Sequence, residues 1–548
     1  MNTKSTLFTL LISLFSSLSY GQTTIREQDY TITYNPDHIA VTFDKNVSFE
    51  AFNTKYFTKK AVQADRTKKY TYIIKDIQPA EFITFQYSLK DGNATDYRYA
   101  TLAAPSASTG AMNVYFNHVV STLVSQYQPA QNLGNTLDDM LISYINATQS
   151  TLDIAIYNSY SPSSTTGIAG AINNAFNRGV TVRVIYDGST GSQMIPLLNA
   201  SIPKLASPTS SDYGIMHNKF VVFDADSSDP NRPWVWSGST NWTAVQIDGP
   251  DKNNAIAIQD QALAQAYKIE FEEMWGSSGV NPNPSASKFG PYKTNNTPHI
   301  FNIAGKVVKN YFSPSDAVTS QIINVINSAD SDIEVATMLI TRDDIRDALI
   351  NKYNSGLATV QGVFDTQNPS GNDIPALKSA IGANKMVQYG GAGIMHHKFM
   401  LVDNFNAASD PILLTGSHNW STSAETRNDE NTLLIHDKTV VDQYYQAFHY
   451  LYLEAGGTLA IAENTSNAKK VLLYPNPTDG PVYFKVDGTL LNAQGNISVF
   501  NVVGNKIMER SFNNMRNSSI DLSNYPKGLY FVKITVGDLK YQAKVIRQ

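Results

Sequence analysis

The 548-residue chain contains no cysteine. That absence excludes disulfide bonds, a thiolate metal site and a cysteine nucleophile, so stability has to come from packed cores. Charge is also sparse: charged residues make up 16% of the chain and the net charge is −5. The mild acidity argues against a broad polyanion-binding surface and leaves room only for a local basic cleft. Beyond the N-terminus no stretch is long and apolar enough to cross a bilayer, and no histidine-rich cluster has zinc-ligand spacing. A hydrophobic content of 42% indicates a folded globular protein, and the length is too great for one core.

Residues 1–21 read as a secretory signal peptide: Lys4, then an apolar run from Leu7 to Leu18, then small residues at Ser19 and Gly21. Residues 22–104 alternate apolar and polar positions in short runs such as Asp29 to Tyr34 and Phe82 to Tyr87, with Asp91-Gly92 as a turn. That pattern predicts an N-terminal β-sandwich. Its aromatic residues are expected mainly in the core, with glycan binding by this sandwich as the alternative. Ala103 to Gly110 is the linker out.

Two long segments, 112–277 and 296–456, repeat one another in order. Thr136 to Asn146 and Ser315 to Asn327 read as helices, Leu152 to Tyr157 and Ile333 to Met338 as strands, Gly167 to Arg178 and Asp343 to Asn354 as helices, and Val180 to Tyr186 and Val360 to Phe364 as strands. Strands alternating with helices predict an α/β sheet with crossovers. An internal repeat of about 180 residues predicts two similar domains facing each other, a pseudo-dimer within a monomer with its site at the shared face. Gly276 to Pro298, rich in Ser, Gly, Asn and Pro, reads as an exposed linker between them.

Each repeat carries the same constellation. His217, Lys219 and Asp224 are followed by Gly238-Ser239-Thr240-Asn241, and His396, Lys398 and Asp403 by Gly416-Ser417-His418-Asn419. Apolar residues between Lys and Asp make each motif a buried strand, whose alternation puts His217 with Lys219, and His396 with Lys398, on one face. His397 then points the other way. Two imidazoles can supply a nucleophile and an acid, one ring neutral and the other charged. Lys219, Lys398, Asn241 and Asn419 would surround an anionic group with fixed cations and donors.

These paired His-x-Lys-x4-Asp and Gly-Ser-x-Asn motifs resemble the phospholipase D superfamily. The resemblance implies a phosphodiesterase that forms a phosphohistidine, with His217 as nucleophile and His396 as acid or the reverse, and with no metal or cofactor. It also implies that Ser239 and Ser417 support the phosphate pocket. Asp224 and Asp403 are the expected partners for orienting an imidazole. Glu430, within Asn428-Asp429-Glu430-Asn431, stands where the family often places a carboxylate that supports a histidine, and Asn253 stands opposite it in the first repeat. Such asymmetry would push the two imidazoles apart in acidity.

The motif aspartates disfavour a tyrosyl-DNA phosphodiesterase, and the lack of a spanning segment disfavours integral-membrane cardiolipin synthases. Phospholipid is the leading substrate. Nucleic acid cleaved by the same two histidines is the alternative, and a non-catalytic glycan-binding scaffold is the reading from another class. Tyr157, Tyr160, Trp234, Trp236 and Trp242 stand near the motifs, to touch acyl chains, stack on bases or fill the core. Residues 471–548, with Leu473-Tyr474-Pro475-Asn476-Pro477, Pro526-Lys527-Gly528-Leu529-Tyr530 and a basic end, resemble the C-terminal sorting domain of type IX secretion substrates. That implies a β-sandwich handled by the type IX machinery and a secreted or cell-surface protein.

Overall fold

A computed structural model of the chain describes residues 23–548 except 28, 36, 66, 92–93, 161, 358, 367–370, 407, 459–471, 486–493, 503, 515–517 and 537–538. The expected signal peptide, and Gly92 of the expected Asp91-Gly92 turn, lie outside the described residues.

The described residues of 23–107, together with 300–307, form one compact unit. Strands Thr23–Arg26, Tyr30–Tyr34, Ile39–Phe43, Thr71–Ile74 and Val62–Ala64 are neighbours in one sheet, and Ser48–Asn53, Phe82–Asp91 and Ala94–Ala103 pair antiparallel in a second layer. Tyr30–Tyr34 buries every second residue, so its Ile32 meets Val41, Ile83, Phe85 and Leu102 in a shared core. Tyr30, Phe43, Phe85 and Tyr87 interlock edge to face or tilted within it, whereas Tyr97 and Tyr99 are exposed.

One piece of this unit comes from far away in sequence. Strand Ile300–Ile303, which the sequence pattern assigns to the second repeat, pairs through Ile300 with Leu102 and buries Ile300 in the N-terminal core. A four-residue apolar strand carries no local mark of its partner, so burial rather than pattern decides where it goes.

Residues 108–299 and 308–548 form the other unit. The strand order in its first sheet is Gln131–Asn132, Met112–Phe116, Asn254–Gln259, Trp234–Gly238, Lys219–Phe223, Thr151–Ile156, Thr181–Tyr186 and Lys204–Ala206. The second repeat has the same plan: Lys306–Ser313, Glu430–His436, Ile412–Gly416, Lys398–Val402, Asp332–Thr337, Thr359–Asp365 and Met386–Tyr389. In both, a helix, Pro162–Asn177 or Asp343–Asn354, makes the crossover between two parallel strands. The motif strand then runs antiparallel beside them. Both motif strands are buried along their whole length, which explains their unbroken apolar text and fixes the histidines that precede them on rigid elements.

The glycine of each Gly-Ser-x-Asn has a packing reason. Gly238 and Gly416 have φ of 147° and 148°, and a Cβ at either would collide with the carbonyl of Asn254 or Asn431 on the neighbouring strand. That close approach delivers the following serine to the site.

The repeats differ in how they neutralise a buried charge at one matching position. In the first, the Asp153 carboxylate accepts from Arg183 Nε at 2.7 Å, and Glu272 pairs with the same guanidinium at 3.2 Å. In the second, Glu334 stands opposite Gln361, and burial with the nearby Asp332 and Asp403 carboxylates pushes its pKa well above the usual range. Glu334 is therefore held neutral, and its contribution to stability is present below about pH 4.3 and is lost as pH rises toward its folded pKa. Glu334→Gln is expected to gain on the wild type at up to about 1.4 kcal/mol per pH unit through that window. Urea unfolding followed by tryptophan fluorescence measures this cleanly, because all five tryptophans lie in the two repeats. Parallel pH dependences in the two proteins would refute a neutral Glu334.

At the C-terminal end, strands Leu472–Tyr474, Pro481–Lys485 and Ser519–Asp521 form one sheet, and Lys506–Phe512, Gly495–Asn501, Gly528–Val536 and Leu539–Arg547 another. Val482, Ile497, Val499, Leu522, Val532 and Val545 are buried in a common core, so this segment is a β-sandwich.

Candidate active site

The two motif segments meet across the repeats. Met216 pairs with Asp429, and Met395 with Lys252, as isolated parallel bridges. The His217 amide donates to the Asp429 carbonyl and the His396 amide to the Lys252 carbonyl, each at 2.9 Å. Each histidine is thus delivered by its own motif and received by the strand start of the other repeat.

The side chains repeat this exchange. His217 Nδ1 donates to Glu430 Oε2 at 2.8 Å, and Ser417 Oγ donates to the same oxygen at 2.7 Å. His396 Nδ1 donates to Asn253 Oδ1 at 3.0 Å, with Ser239 Oγ donating to that oxygen at 3.0 Å. Fixing Nδ1 as the donor leaves Nε2 of each ring as the reacting nitrogen. The expected asymmetry is therefore present in space: one imidazole rests on a carboxylate, the other on a neutral amide.

Lys219 and Lys398 lie on the same face as their histidines, donating to the His217 and His396 carbonyls at 2.7 and 2.8 Å. Burial lowers both ammonium groups, Lys398 to about 7 and Lys219 well below its ordinary value; Glu430 draws both up, and Lys398 pushes Lys219 further down. Burial raises Glu430 to about 7 and lowers both imidazoles far below theirs, with the lysines adding to the effect. A buried pair of lysines facing one carboxylate favours the entry of an anion. Asn241 and Asn419 follow Ser239 and Ser417 on the same loops, and the amide oxygen of each is buried without a hydrogen-bond partner.

The structure corrects several expectations. Asp224 and Asp403 touch no imidazole; they end the motif strands roughly 20 Å from the histidines at about 3.3 Å per residue. Asp224 accepts from the amides of Gln149, Ser150 and Thr151 and from Ser150 Oγ. Asp403 accepts from the Asp330 and Ser331 amides and from Ser331 and Ser409 hydroxyls. Both residues are left-handed, with φ of 51° and 59°, a conformation that aspartate tolerates better than most. Their work is to lock the turn that closes each motif strand. Ser239 and Ser417 spend their hydroxyls on Asn253 and Glu430 and so act on the histidines through those residues.

Trp236 and Trp242 are buried in the first repeat's core, with Trp234 packed against it. Tyr160 is exposed. Tyr157 lies at the site, its ring 4.7 Å from that of His217. His397 points away from the cleft as parity requires. Asn254 Nδ2 donates to its Nδ1 at 2.8 Å, and its Nε2 meets His118 Nε2 at 2.8 Å. The pattern is consistent only with neutral rings, since His118 Nδ1 is committed to the Val119 carbonyl at 2.8 Å.

Three contributors escaped sequence reasoning. Asp187 and Asp365 accept from the amides just before the histidines, Met216 at 2.8 Å and Met395 at 2.7 Å. Their signal was available, since each closes the second strand of its repeat. Lys293 lies in the stretch read as an exposed linker, yet its ammonium is buried between Glu270, with which it is hydrogen-bonded, and Asp429 Oδ1 at 3.4 Å. The Gly290 amide donates to Asp429 as well, at 2.7 Å. This connector is docked behind the strand that carries Glu430.

A family model described as cardiolipin synthase, PLD-like domain, matches residues 141–275 and again 322–452. The mitochondrial cardiolipin hydrolase of Xenopus tropicalis is 30% identical over 171 residues, covering 30% of this chain and 72% of that protein. The chain belongs to the phospholipase D superfamily. A phospholipase D from Rickettsia felis is 27% identical over 144 residues, covering 25% of this chain and 66% of that one. Among solved structures, the phospholipase D family member Nuc from Salmonella typhimurium matches 27% of this chain and 95% of its own at 24% identity, with a TM-score of 0.23. The phosphatidylserine synthase of Haemophilus influenzae matches 62% of this chain and 88% of its own at 12% identity, with a TM-score of 0.43. A second family model, the secretion system C-terminal sorting domain, matches residues 472–548. This phospholipase D superfamily member therefore carries the type IX sorting domain, which marks it for export to the cell surface or exterior, and no helix among the described residues is long and apolar enough to cross a membrane.

Proposed function

We propose that this exported protein hydrolyses phospholipid phosphodiester bonds through a phosphohistidine, one chain supplying both halves of the site. The observation that carries the reading is the crossed support of the histidines, His217 by Glu430 and His396 by Asn253. His217 Nε2 attacks phosphorus, the new N–P bond forming as the P–O bond to the leaving alcohol breaks. The ring becomes cationic as it does so, and the Glu430 carboxylate at its Nδ1 neutralises that charge. The bound phosphodiester's negative charge offsets the lysines that depress His396 and lets the ring take up a second proton; resting on a neutral amide, His396 holds that proton loosely and gives it from Nε2 to the departing alkoxide. Water then attacks phosphorus, its proton passes to His396, and the N–P bond breaks. Lys219 and Lys398, with the amides of Asn241 and Asn419, hold the non-bridging oxygens.

The names of the relatives, cardiolipin hydrolase and phospholipase D, support lipid as the substrate, as does a net charge of −5, which gives nucleic acid no general attraction. The test is product analysis with the purified full chain in chelator, offered mixed phospholipid vesicles or, separately, single- and double-stranded nucleic acid. Phosphatidic acid is the expected product. Nucleic-acid fragments without lipid turnover would replace this reading with a nuclease, and inactivity on both would reject it.

A further inference from the structure

The two halves of the site differ at one more position. Tyr157 and Met338 are structural counterparts: the Tyr157 amide donates to the Asn218 carbonyl at 2.9 Å, and the Met338 amide to the His397 carbonyl at 2.8 Å. Each thus leaves the same strand of its repeat beside the motif. Only Tyr157 brings an aromatic ring. Its centroid is 5.0 Å from Lys219 Nζ and 4.7 Å from the His217 ring, which it meets at 61°. Among the described residues no ring takes a matching place by Lys398.

The surroundings of Lys219 show why a ring matters there. The groups facing it are the His217 imidazole and carbonyl from its own segment, Lys398 and Glu430 from the other repeat, and Asp187 from the end of Thr181–Tyr186. Glu430 is already engaged by His217 and Ser417. Asp187 is likewise engaged, by the Ser189, Thr190 and Met216 amides, so beside the His217 carbonyl a π face adds a favourable contact for the buried ammonium, and it supplies attraction without accepting a proton.

We propose that Tyr157 is a positioning residue that holds the Lys219 ammonium against the nucleophile His217, making the first repeat the phosphoryl-holding half of the cleft. The edge-on packing fixes the imidazole plane, and the π face holds the ammonium beside it. Met338 offers the second repeat neither contact, which suits a half whose histidine has only to give and take a proton. This inference rests on the reading above in which Lys219 holds a phosphoryl oxygen.

The test compares Tyr157→Phe, which keeps the ring, with Tyr157→Leu, which removes it. Two readouts are used: the pH dependence of kcat/KM on phospholipid vesicles, and the acetylation of Lys219 by acetic anhydride across pH, quantified by peptide mass spectrometry with Lys398 as internal reference. Tyr157→Leu is expected to shift the pH at which Lys219 becomes reactive downward, raising its labelling on the acid side of its titration about five-fold relative to Lys398, and to move the limb of kcat/KM that follows Lys219 down by about half a pH unit or more. Tyr157→Phe is expected to match the wild type in both. Unchanged labelling in Tyr157→Leu would overturn the inference whatever the substrate, and so would a Tyr157→Phe protein that behaves like Tyr157→Leu. Labelling needs no turnover, so it separates a failure of this inference from a failure of the phosphodiesterase reading. If Tyr157→Leu does not fold, judged by tryptophan fluorescence, Tyr157→Met, which copies the second repeat, takes its place under the same criteria.

Discussion

His217→Asn is expected to abolish turnover and His396→Asn to abolish it selectively. With an ordinary alkyl phosphodiester, loss of the acid costs about 10³- to 10⁴-fold, and loss of the nucleophile removes the covalent route altogether. A p-nitrophenyl phosphodiester separates the two, because its leaving group departs without a proton. On that ester His396→Asn should still release the first p-nitrophenol and accumulate a phosphoenzyme, since the same residue also activates water in the second step. His217→Asn should release none. The physical reason is the pairing seen in the site: Glu430 at the Nδ1 of His217 offsets the charge that the ring gains on forming the N–P bond, and Asn253 offers His396 no such compensation. Burst kinetics and acid-quenched labelling with a phosphorus-radiolabelled ester decide the matter. Labelling of His217→Asn but not of His396→Asn would reverse the roles, and near-normal activity in both variants would end the two-histidine mechanism.

Lys293→Met is expected to be the most destabilising single substitution in the connector, by about 3–5 kcal/mol. Its ammonium is buried and paired with Glu270 and Asp429, and those carboxylates, together with Asp316, raise its pKa against the opposing effect of burial. Glu270, already pushed up to about 8 by burial with Lys293 present, would be left beside Asp429 with no cation. Asp429 is held otherwise by the Tyr213 hydroxyl and the Gly290 amide, and its carbonyl receives the His217 amide, so the loss should reach activity as well as stability. Urea unfolding by tryptophan fluorescence reads the stability, and the pairing is checked by adding Glu270→Gln, which should recover part of the loss. A Lys293→Met midpoint equal to the wild type would show that the connector is only loosely docked.

His217, Lys219, His396 and Lys398 could be placed from text alone because strand periodicity is local: two residues apart means the same face, and the repeat supplied the second copy. A supporting role for Glu430 was implied by the resemblance to the superfamily, and laying one repeat over the other set Asn253 opposite it. Asp224 and Asp403 were misread as partners of an imidazole because the motif names them together with the histidines. An extended strand of five residues carries them to its far end, where their left-handed backbone and carboxylate close a turn.

The sequence by itself determined the α/β repeat, the motif strands, the paired histidines and lysines, and the β-rich regions at either end, because each rests on periodicity, on turn residues or on one repeat matching the other. Only the tertiary structure decided that His217 reaches Glu430 across the repeats, that Tyr157 and not Met338 brings a ring to the site, that Ile300 joins the N-terminal core and that Lys293 is buried. Each of these is a contact between residues distant in sequence. A charge in a Gly- and Asn-rich stretch reads as solvated unless its partners are known, and those partners, Glu270 and Asp429, come together only when the two repeats close on one another.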